Sequence, residues 1–152
     1  VLTEMETEHY FTLILAVVNL TTGGVVVSQA GHPHPMIQHA SGNLSILGSG
    51  GLPIGLLEGA DYSTFETRLR PGERLILASD GITECPDPRG VELGHEGLQR
   101  ILKRLSDLRG NALLEALMWE LARRHGGEDF PDDVSCALFE YDGPQPAQPS
   151  AD

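Results

Sequence analysis

A chain of 152 residues, of which 40% are hydrophobic and 21% charged, has the composition of one folded domain rather than of a disordered segment. The 22 Asp and Glu residues outnumber the 10 Lys and Arg residues, and the resulting net charge of -12 disfavours binding to nucleic acids and anionic membrane surfaces. Two cysteines are too few for a disulfide framework, and no apolar run approaches the roughly 20 residues of a membrane span, so we expect a cytoplasmic protein.

Short apolar segments separated by turn residues predict strands in the first third of the chain. Residues 10–20 and 25–29 are rich in Val, Leu and Ile and flank a Thr-Thr-Gly-Gly turn. Residues 36–39 and 44–47 follow as two shorter apolar segments. The pattern favours three or four strands in meander order.

A glycine-rich segment at 48–56 separates these strands from a second group and is interpreted as a packing or regulatory loop, since it has no P-loop lysine. Residues 62–69 alternate apolar and polar side chains, as a half-buried strand does. Pro71 and Gly72 then turn the chain into the apolar run 74–78, which we expect to form a strand pair with 62–69. The continuous run indicates a central strand covered on both faces.

The apolar spacing changes to a helical period in the second half. Two amphipathic helices are predicted around Leu98–Leu105 and Leu113–Leu121, the second ending at Gly126. A last strand at 134–141 follows, and residues 144–152 form a polar, proline-rich tail that we expect to be disordered. Strands first and helices later favour an α+β fold, in which helices pack on a face of an antiparallel β-sheet system.

Two acidic turns are the candidates for chemistry. Asp80 and Gly81 follow the predicted central strand, and Asp132 and Asp133 precede the last strand. Either turn alone is also explained as an ordinary loop or capping position. If the two strands are neighbours, however, the carboxylates come together, and such a group repels itself unless a cation is present. Oxygen ligands of this kind suit Mg²⁺ or Mn²⁺, so Asp80 with Asp132 or Asp133 forms a candidate partial metal site.

Several motifs, taken in order, resemble the RsbU/SpoIIE branch of the metal-dependent protein phosphatase (PPM) family. The motifs are AGHPHP at 30–35, GLPIGL at 51–56, LRPGE at 69–73, ASDGITE at 78–84, Gly94 and DDVS at 132–135. Each is weak alone, but their order and spacing make a chance match improbable, and the resemblance covers about residues 10–141.

The resemblance implies an αββα sandwich of two antiparallel sheets with a two-metal site of Mn²⁺ or Mg²⁺ at one end. It implies that Asp80 and Asp132 are metal ligands and that Asp133 is a neighbour of the site. The implied reaction is hydrolysis of phosphoserine or phosphothreonine by metal-activated water, which needs no protein nucleophile. Cys85, His32 and His34 are accordingly interpreted as structural side chains.

The family site also takes aspartates from two earlier motifs, and the first 60 residues contain no aspartate. Residues 1–143 are therefore predicted to be the C-terminal portion of one phosphatase domain. We expect this chain alone to be inactive, because each ion needs about six oxygen ligands. Uncovered strand edges and apolar surface make self-association a further expectation.

The resemblance also implies partners. In this branch an upstream sensor or receiver domain often controls the phosphatase, and the substrate is usually a phosphorylated anti-sigma-factor antagonist. Two alternatives stay open at this stage. One is a degenerate phosphatase-like module that binds a signalling partner without catalysis, and the other is a structural domain that needs no metal.

Overall fold

The computed structural model describes residues 10–57, 59–62 and 64–144, and these form seven strands and three helices. The predicted tail at 144–152 lies outside them except for Pro144. The elements are β1 (Leu13–Val18), β2 (Gly24–Ala30), β3 (Met36–Gln38), β4 (Leu44–Ile46), β5 (Thr64–Arg68), β6 (Glu73–Ala78), α1 (Asp80–Thr83), α2 (Gly94–Arg104), α3 (Gly110–His125) and β7 (Cys136–Tyr141).

Two antiparallel sheets pack face to face, which confirms the α+β fold with a β-sandwich. One sheet has three strands in the order β1-β2-β5, and the other has four in the order β4-β3-β6-β7. The layer between them is apolar and includes side chains from both sheets, among them Val25, Val27, Ile37, Leu75 and Tyr141. The alternation of buried and less buried residues along β1, β2 and β5 follows from this one-sided burial.

The predicted meander of the first four strands is wrong, because β2 and β3 lie in different sheets. β2 has β1 on one edge and β5 on the other, so neither edge is free for β3. Pro33 and Pro35 lie in the connection and have no N–H group with which to extend a β ladder. The chain crosses to the second sheet here, where β3 pairs with β4 and β6.

The predicted pairing of the strands at 62–69 and 74–78 is also wrong. The N–H of Leu69 still donates to the carbonyl of Gly23, at 2.8 Å, so the chain remains beside β2 up to this residue. A turn closed by the N–H of Glu73 and the carbonyl of Arg70, at 2.9 Å, then carries it into the other sheet. There β6 lies between β3 and β7, and five of its six residues are buried, as predicted for a central strand.

Helices α2 and α3 cover the outer face of the four-stranded sheet, as their apolar spacing predicts. Leu98, Leu102, Leu117 and Leu121 pack with β6 residues in a second core. α3 ends at His125 and is capped by Gly126, whose φ of 92° is in the left-handed region that favours glycine. This confirms the predicted end of the helix. No helix in the described ranges is both long enough and apolar enough to cross a membrane.

The outer face of the three-stranded sheet is exposed and apolar. Its exposed side chains include Leu13, Leu15, Val17 and Val26, at 42–60% relative exposure. No helix covers this face within residues 10–57, 59–62 and 64–144. The structure therefore shows a β-sandwich with a helical layer on one side.

Candidate metal centre

The pairing of β6 with β7 brings the two acidic turns together. The strands are antiparallel, and Ala78 at the end of β6 is opposite Cys136 at the start of β7. Consequently the residues that follow β6 and those that precede β7 leave the sheet at the same end. The condition on which the sequence-based metal site depended, that these two strands are neighbours, is met.

Ser79 ties the two turns to each other through three hydrogen bonds. Its N–H donates to the carbonyl of Ser135 at 2.9 Å, and its hydroxyl accepts from the Ser135 N–H at 2.9 Å. The same hydroxyl donates to the carbonyl of Asp133 at 3.3 Å. The ladder between β6 and β7 thus continues through side-chain bonds into the acidic turns, which fixes their separation.

Asp80 begins a short helix, where the sequence predicted only a sharp turn. The N–H of Glu84 donates to the carbonyl of Asp80 at 2.8 Å, which closes one helical turn over α1. Side chains four residues apart lie on the same side of a helix. The Glu84 carboxylate is therefore directed to the same side as that of Asp80.

Three carboxylates converge at this end of the sandwich. Asp80, Glu84 and Asp132 each offer an oxygen atom, and these atoms all lie within 4.8 Å of one another. Backbone N–H groups orient two of the carboxylates, because Gly81 donates to Asp80 Oδ1 at 3.0 Å and Asp133 donates to Asp132 Oδ1 at 2.7 Å. The Asp133 carboxylate is not in the cluster.

The donor set fits a hard divalent cation. Three carboxylates offer up to six oxygens, and Mg²⁺ and Mn²⁺ prefer such ligands and commonly keep several waters. All three side chains are exposed, which leaves room for water and for a substrate. The structure brings together both aspartates chosen from the sequence. It adds Glu84, which the Asp-x-x-x-Glu spacing in a helical turn could have indicated.

The other polar residues singled out in the sequence have structural contacts. The Nδ1 atoms of His32 and His34 lie 3.0 Å from the carbonyl oxygens of Pro33 and Leu47, respectively. Cys85 is buried, and this burial raises the pKa of its thiol, with only partial compensation from the Arg124 guanidinium. A protonated, buried thiol is a poor nucleophile.

The loop at 48–56 packs against the end of β2. The N–H of Gly50 donates to Gln29 Oε1 at 3.2 Å, and a β-carbon on Gly51 would meet the carbonyl oxygen of Gln29 at 2.8 Å. Glycine is required where the loop backbone approaches β2 this closely. These contacts agree with the interpretation of the segment as a packing loop.

Comparison with known protein families shows to which family the chain belongs. Residues 1–142 match the family model described as Stage II sporulation protein E (SpoIIE). The chain belongs to the SpoIIE family. Stage II sporulation protein E of Bacillus subtilis is 27% identical to it over 135 residues, which are 89% of this chain and 16% of that protein. Phosphoserine phosphatase RsbU of B. subtilis is 27% identical over 100 residues, which are 65% of this chain and 30% of that protein.

Solved structures of the SpoIIE phosphatase domain and of a second PP2C domain have the same fold. The phosphatase domain of B. subtilis SpoIIE, presoaked with Mn, superimposes with a TM-score of 0.71 at 26% identity and covers 91% of this chain and 60% of that one. The SiaA-PP2C domain of Pseudomonas aeruginosa, at 20% identity, gives a TM-score of 0.68 over 79% of this chain and 47% of that one. The fold is that of the PP2C phosphatase domain. The chain spans less than two thirds of each of these relatives.

Proposed function

We propose that this SpoIIE-family chain carries part of the metal centre of a serine/threonine protein phosphatase. Asp80, Glu84 and Asp132 are the proposed ligands of Mn²⁺ or Mg²⁺. The observation that carries the proposal is the convergence of these three carboxylates at one end of a PP2C-type sandwich. Three like charges this close repel each other, and a bound cation removes that repulsion.

The chemistry requires local positive charge, since the chain has a net charge of -12 and repels phosphorylated proteins. When bound, a divalent ion supplies the Lewis acidity that activates water and neutralises phosphoryl charge. The role of the chain is to hold the ligands in place. Ser79 and Gly81 do this by fixing the distance between the two acidic turns.

The proposed substrate is phosphoserine or phosphothreonine in a regulatory protein, such as an anti-sigma-factor antagonist, under the control of a sensor or receiver domain in the parent protein. The relative RsbU is named a phosphoserine phosphatase, which supports phosphoserine as the reacting group. The exposure of all three carboxylates also suits a protein substrate, because a phosphorylated loop can reach them.

Three carboxylates are few for two metal ions, each of which takes about six oxygens. We therefore expect the 152-residue chain alone to bind metal weakly and to lack activity, and further aspartates to complete the site in the parent protein. The small cluster also keeps open a second function, in which a phosphatase-like module binds a signalling partner without catalysis. Phosphate release by the full-length protein distinguishes the two.

The experiment is Mn²⁺-dependent release of phosphate from a phosphoserine protein by the full-length protein that contains this sequence. We expect Asp80→Asn and Asp132→Asn each to lower the rate of phosphate release. The decrease should exceed the roughly 10–100-fold that is typical when a residue that only orients a metal ligand is lost. Glu84→Gln should weaken Mn²⁺ binding in calorimetry. Asp107→Asn is the matched control, since it removes one exposed carboxylate away from the cluster and should retain activity. Full activity in both aspartate variants of the cluster would exclude the proposed ligand roles.

A further inference from the structure

An open groove lies beside the carboxylate cluster, between α3 and the loop that precedes β7. We call it the α3 groove. It has a volume of about 910 Å³, and one wall is formed by α3 and the other by residues 128–134. Asp132 belongs to both the groove and the carboxylate cluster. A chain lying in the groove would therefore pass next to the proposed metal centre.

The α3 wall presents apolar side chains that the fold does not bury. The core-facing row of α3 is Leu113, Leu117 and Leu121, and all three are fully buried. On the groove side, Met118 is 37% exposed and Trp119 is 62% exposed. A tryptophan exposed to this extent stabilises the fold little, but it is typical of residues that anchor a binding partner.

Arg123 holds the Trp119 side chain in place. Its guanidinium carbon lies 5.3 Å from the centre of the indole ring, and its Nη2 donates to Glu120 Oε2 at 3.1 Å. The cation therefore covers part of one face of the indole and is itself bound to a carboxylate. The indole is partly ordered before any partner binds, which lowers the entropy cost of binding.

The groove is strongly acidic. Five carboxylates line it, and no Lys or Arg is among its lining residues in the described part of the chain. The five are Glu115, Glu128, Asp129, Asp132 and Asp133. Apolar side chains and carboxylates in the same groove match a partner segment of opposite charge with apolar anchors.

We propose that the α3 groove binds a basic segment with apolar anchors that lies next to the phosphorylated residue of the substrate protein. The identity of the partner as a phosphoprotein rests on the proposed function. The basic segment would offset the repulsion between the phosphoprotein and the acidic enzyme surface, and its apolar residues would contact Met118 and Trp119. A second copy of this chain is a poor occupant, because it also has a net charge of -12.

The test uses a short unphosphorylated peptide with arginines and leucines around one serine, in metal-free buffer. Trp119 is the single tryptophan of the chain, so its fluorescence reports binding directly. We expect the fluorescence of Trp119 to change and to saturate with peptide concentration, and the affinity for the peptide to fall as salt is added. A peptide with glutamate in place of arginine should give no change. A peptide with serine in place of leucine should bind at least about fivefold more weakly.

Matched variants separate groove binding from general charge attraction, with affinity measured by the anisotropy of labelled peptide. Trp119→Ala should weaken binding about tenfold, whereas Leu20→Ala, at an exposed position outside the groove, should not. The double variant Glu128→Gln with Asp129→Asn should bind more weakly than Glu66→Gln with Asp107→Asn, which removes two exposed carboxylates elsewhere.

Absence of a saturable change, or equal losses in the two double variants, would overturn the groove assignment. Because the peptide carries no phosphate and the buffer no metal, such a result would leave the proposed roles of Asp80 and Asp132 untouched. Conversely, saturable peptide binding by the chain, together with no Mn²⁺-dependent phosphate release by the full-length protein, would support the groove assignment and exclude the proposed phosphatase function.

Discussion

Gly81 lies so close to Asp133 that a β-carbon on Gly81 would overlap the Asp133 carbonyl oxygen. The two residues belong to the two acidic turns, and the contact sets how near the turns approach. No φ in the left-handed region is involved at Gly81, so the requirement for glycine is one of space. The Ser-Asp-Gly motif therefore contributes a spacer as well as a carboxylate.

Gly81→Ala should push the Asp133 backbone away and separate Asp132 from Asp80. We expect a loss of about 1–3 kcal/mol in the free energy of unfolding, as for other overpacked sites. The full-length protein should also bind Mn²⁺ more weakly, and the fractional loss of Mn²⁺ affinity should exceed the fractional loss of unfolding free energy. Urea unfolding and calorimetric titration with Mn²⁺ measure the two effects.

Gly127→Ala is the control, because no atom lies within 4 Å of a β-carbon at that position and its φ is outside the left-handed region. It should change neither stability nor metal affinity appreciably. Unchanged Mn²⁺ affinity in a folded Gly81→Ala protein would show that the spacing of the turns does not control the cluster.

Arg74 is a buried cation that connects three elements. From β6, its guanidinium donates to Gln38 Oε1 at 2.8 Å and to Glu140 Oε1 at 3.0 Å. It also donates to the carbonyls of Ser106 and Leu108, at 2.8 and 2.6 Å, in the connection between α2 and α3. A guanidinium can serve this many acceptors in one plane, and a lysine cannot.

Arg74→Met should destabilise the fold by about 3–5 kcal/mol, because it removes the donor to the buried Gln38 amide oxygen and to the Ser106 and Leu108 carbonyls. It also removes one of the partners of the Glu140 carboxylate. Urea denaturation, with the transition followed by circular dichroism, measures the loss. Arg68→Met is the comparison, since Arg68 is exposed on β5 and forms no ion pair within the described ranges. Equal stability of the two variants would contradict the assigned role of Arg74.

The sequence predicted the strands and the two long helices well because each of these has a simple hydrophobic pattern. The run at 74–78 indicated a central strand, and the spacing of Leu113, Leu117 and Leu121 indicated a helix with one buried face. The hydrophobic period alone did not bring Asp80 and Asp132 together, and their proximity was predicted only on the condition that the two strands are neighbours. The pairing of β6 with β7 in the structure meets that condition.

Strand partners were harder to predict, because Pro71 and Gly72 are typical of a hairpin and equally of a turn that crosses between sheets. The difference lies in distant contacts, such as the bond between Leu69 and Gly23. Glu84 was missed because its role depends on one short turn of helix after Asp80. Arg74 was treated as part of an apolar run, since its buried acceptors come from segments far away in sequence.

Glu73 supplies a test by pH. Its burial disfavours the charged carboxylate, but hydrogen bonds from the Arg70 N–H, at 2.8 Å, and from His39 Nδ1, at 2.7 Å, outweigh the burial and lower the pKa of Glu73 below its usual value of 4.5. When the pKa of a carboxyl is lowered in the folded state, the ionised group stabilises the fold at pH values above its ordinary pKa. This stabilisation is lost as the pH falls through the folded-state pKa.

Glu73→Gln should therefore reduce stability near neutral pH and flatten the loss of stability on acidification below pH 4.5. Urea midpoints measured from neutral to acidic pH give both quantities. Glu66→Gln is the control, because it makes the same substitution at a carboxylate that is exposed on β5. An acid profile of Glu73→Gln parallel to that of the unaltered chain would contradict the ionised role of Glu73.

The exposed outer face of the three-stranded sheet predicts self-association of the 152-residue chain. Leu15 and Val17 are 57% and 60% exposed there, and Val26, opposite Val17 on β2, is 42% exposed. Adjacent apolar side chains of this kind form a contiguous patch, which favours association by apolar burial. Local apolar contact can outweigh the general repulsion of like-charged chains when salt screens the charge.

Sedimentation velocity should accordingly show a mass that rises with protein concentration, and more steeply at higher salt. Leu15→Thr combined with Val17→Thr should lower the association, because threonine is compatible with a strand but has a polar hydroxyl. Leu20→Thr alters an exposed leucine beyond the end of β1 and should have little effect. A chain that stays monomeric at every concentration, or a double variant that associates as strongly, would show that this face does not drive association.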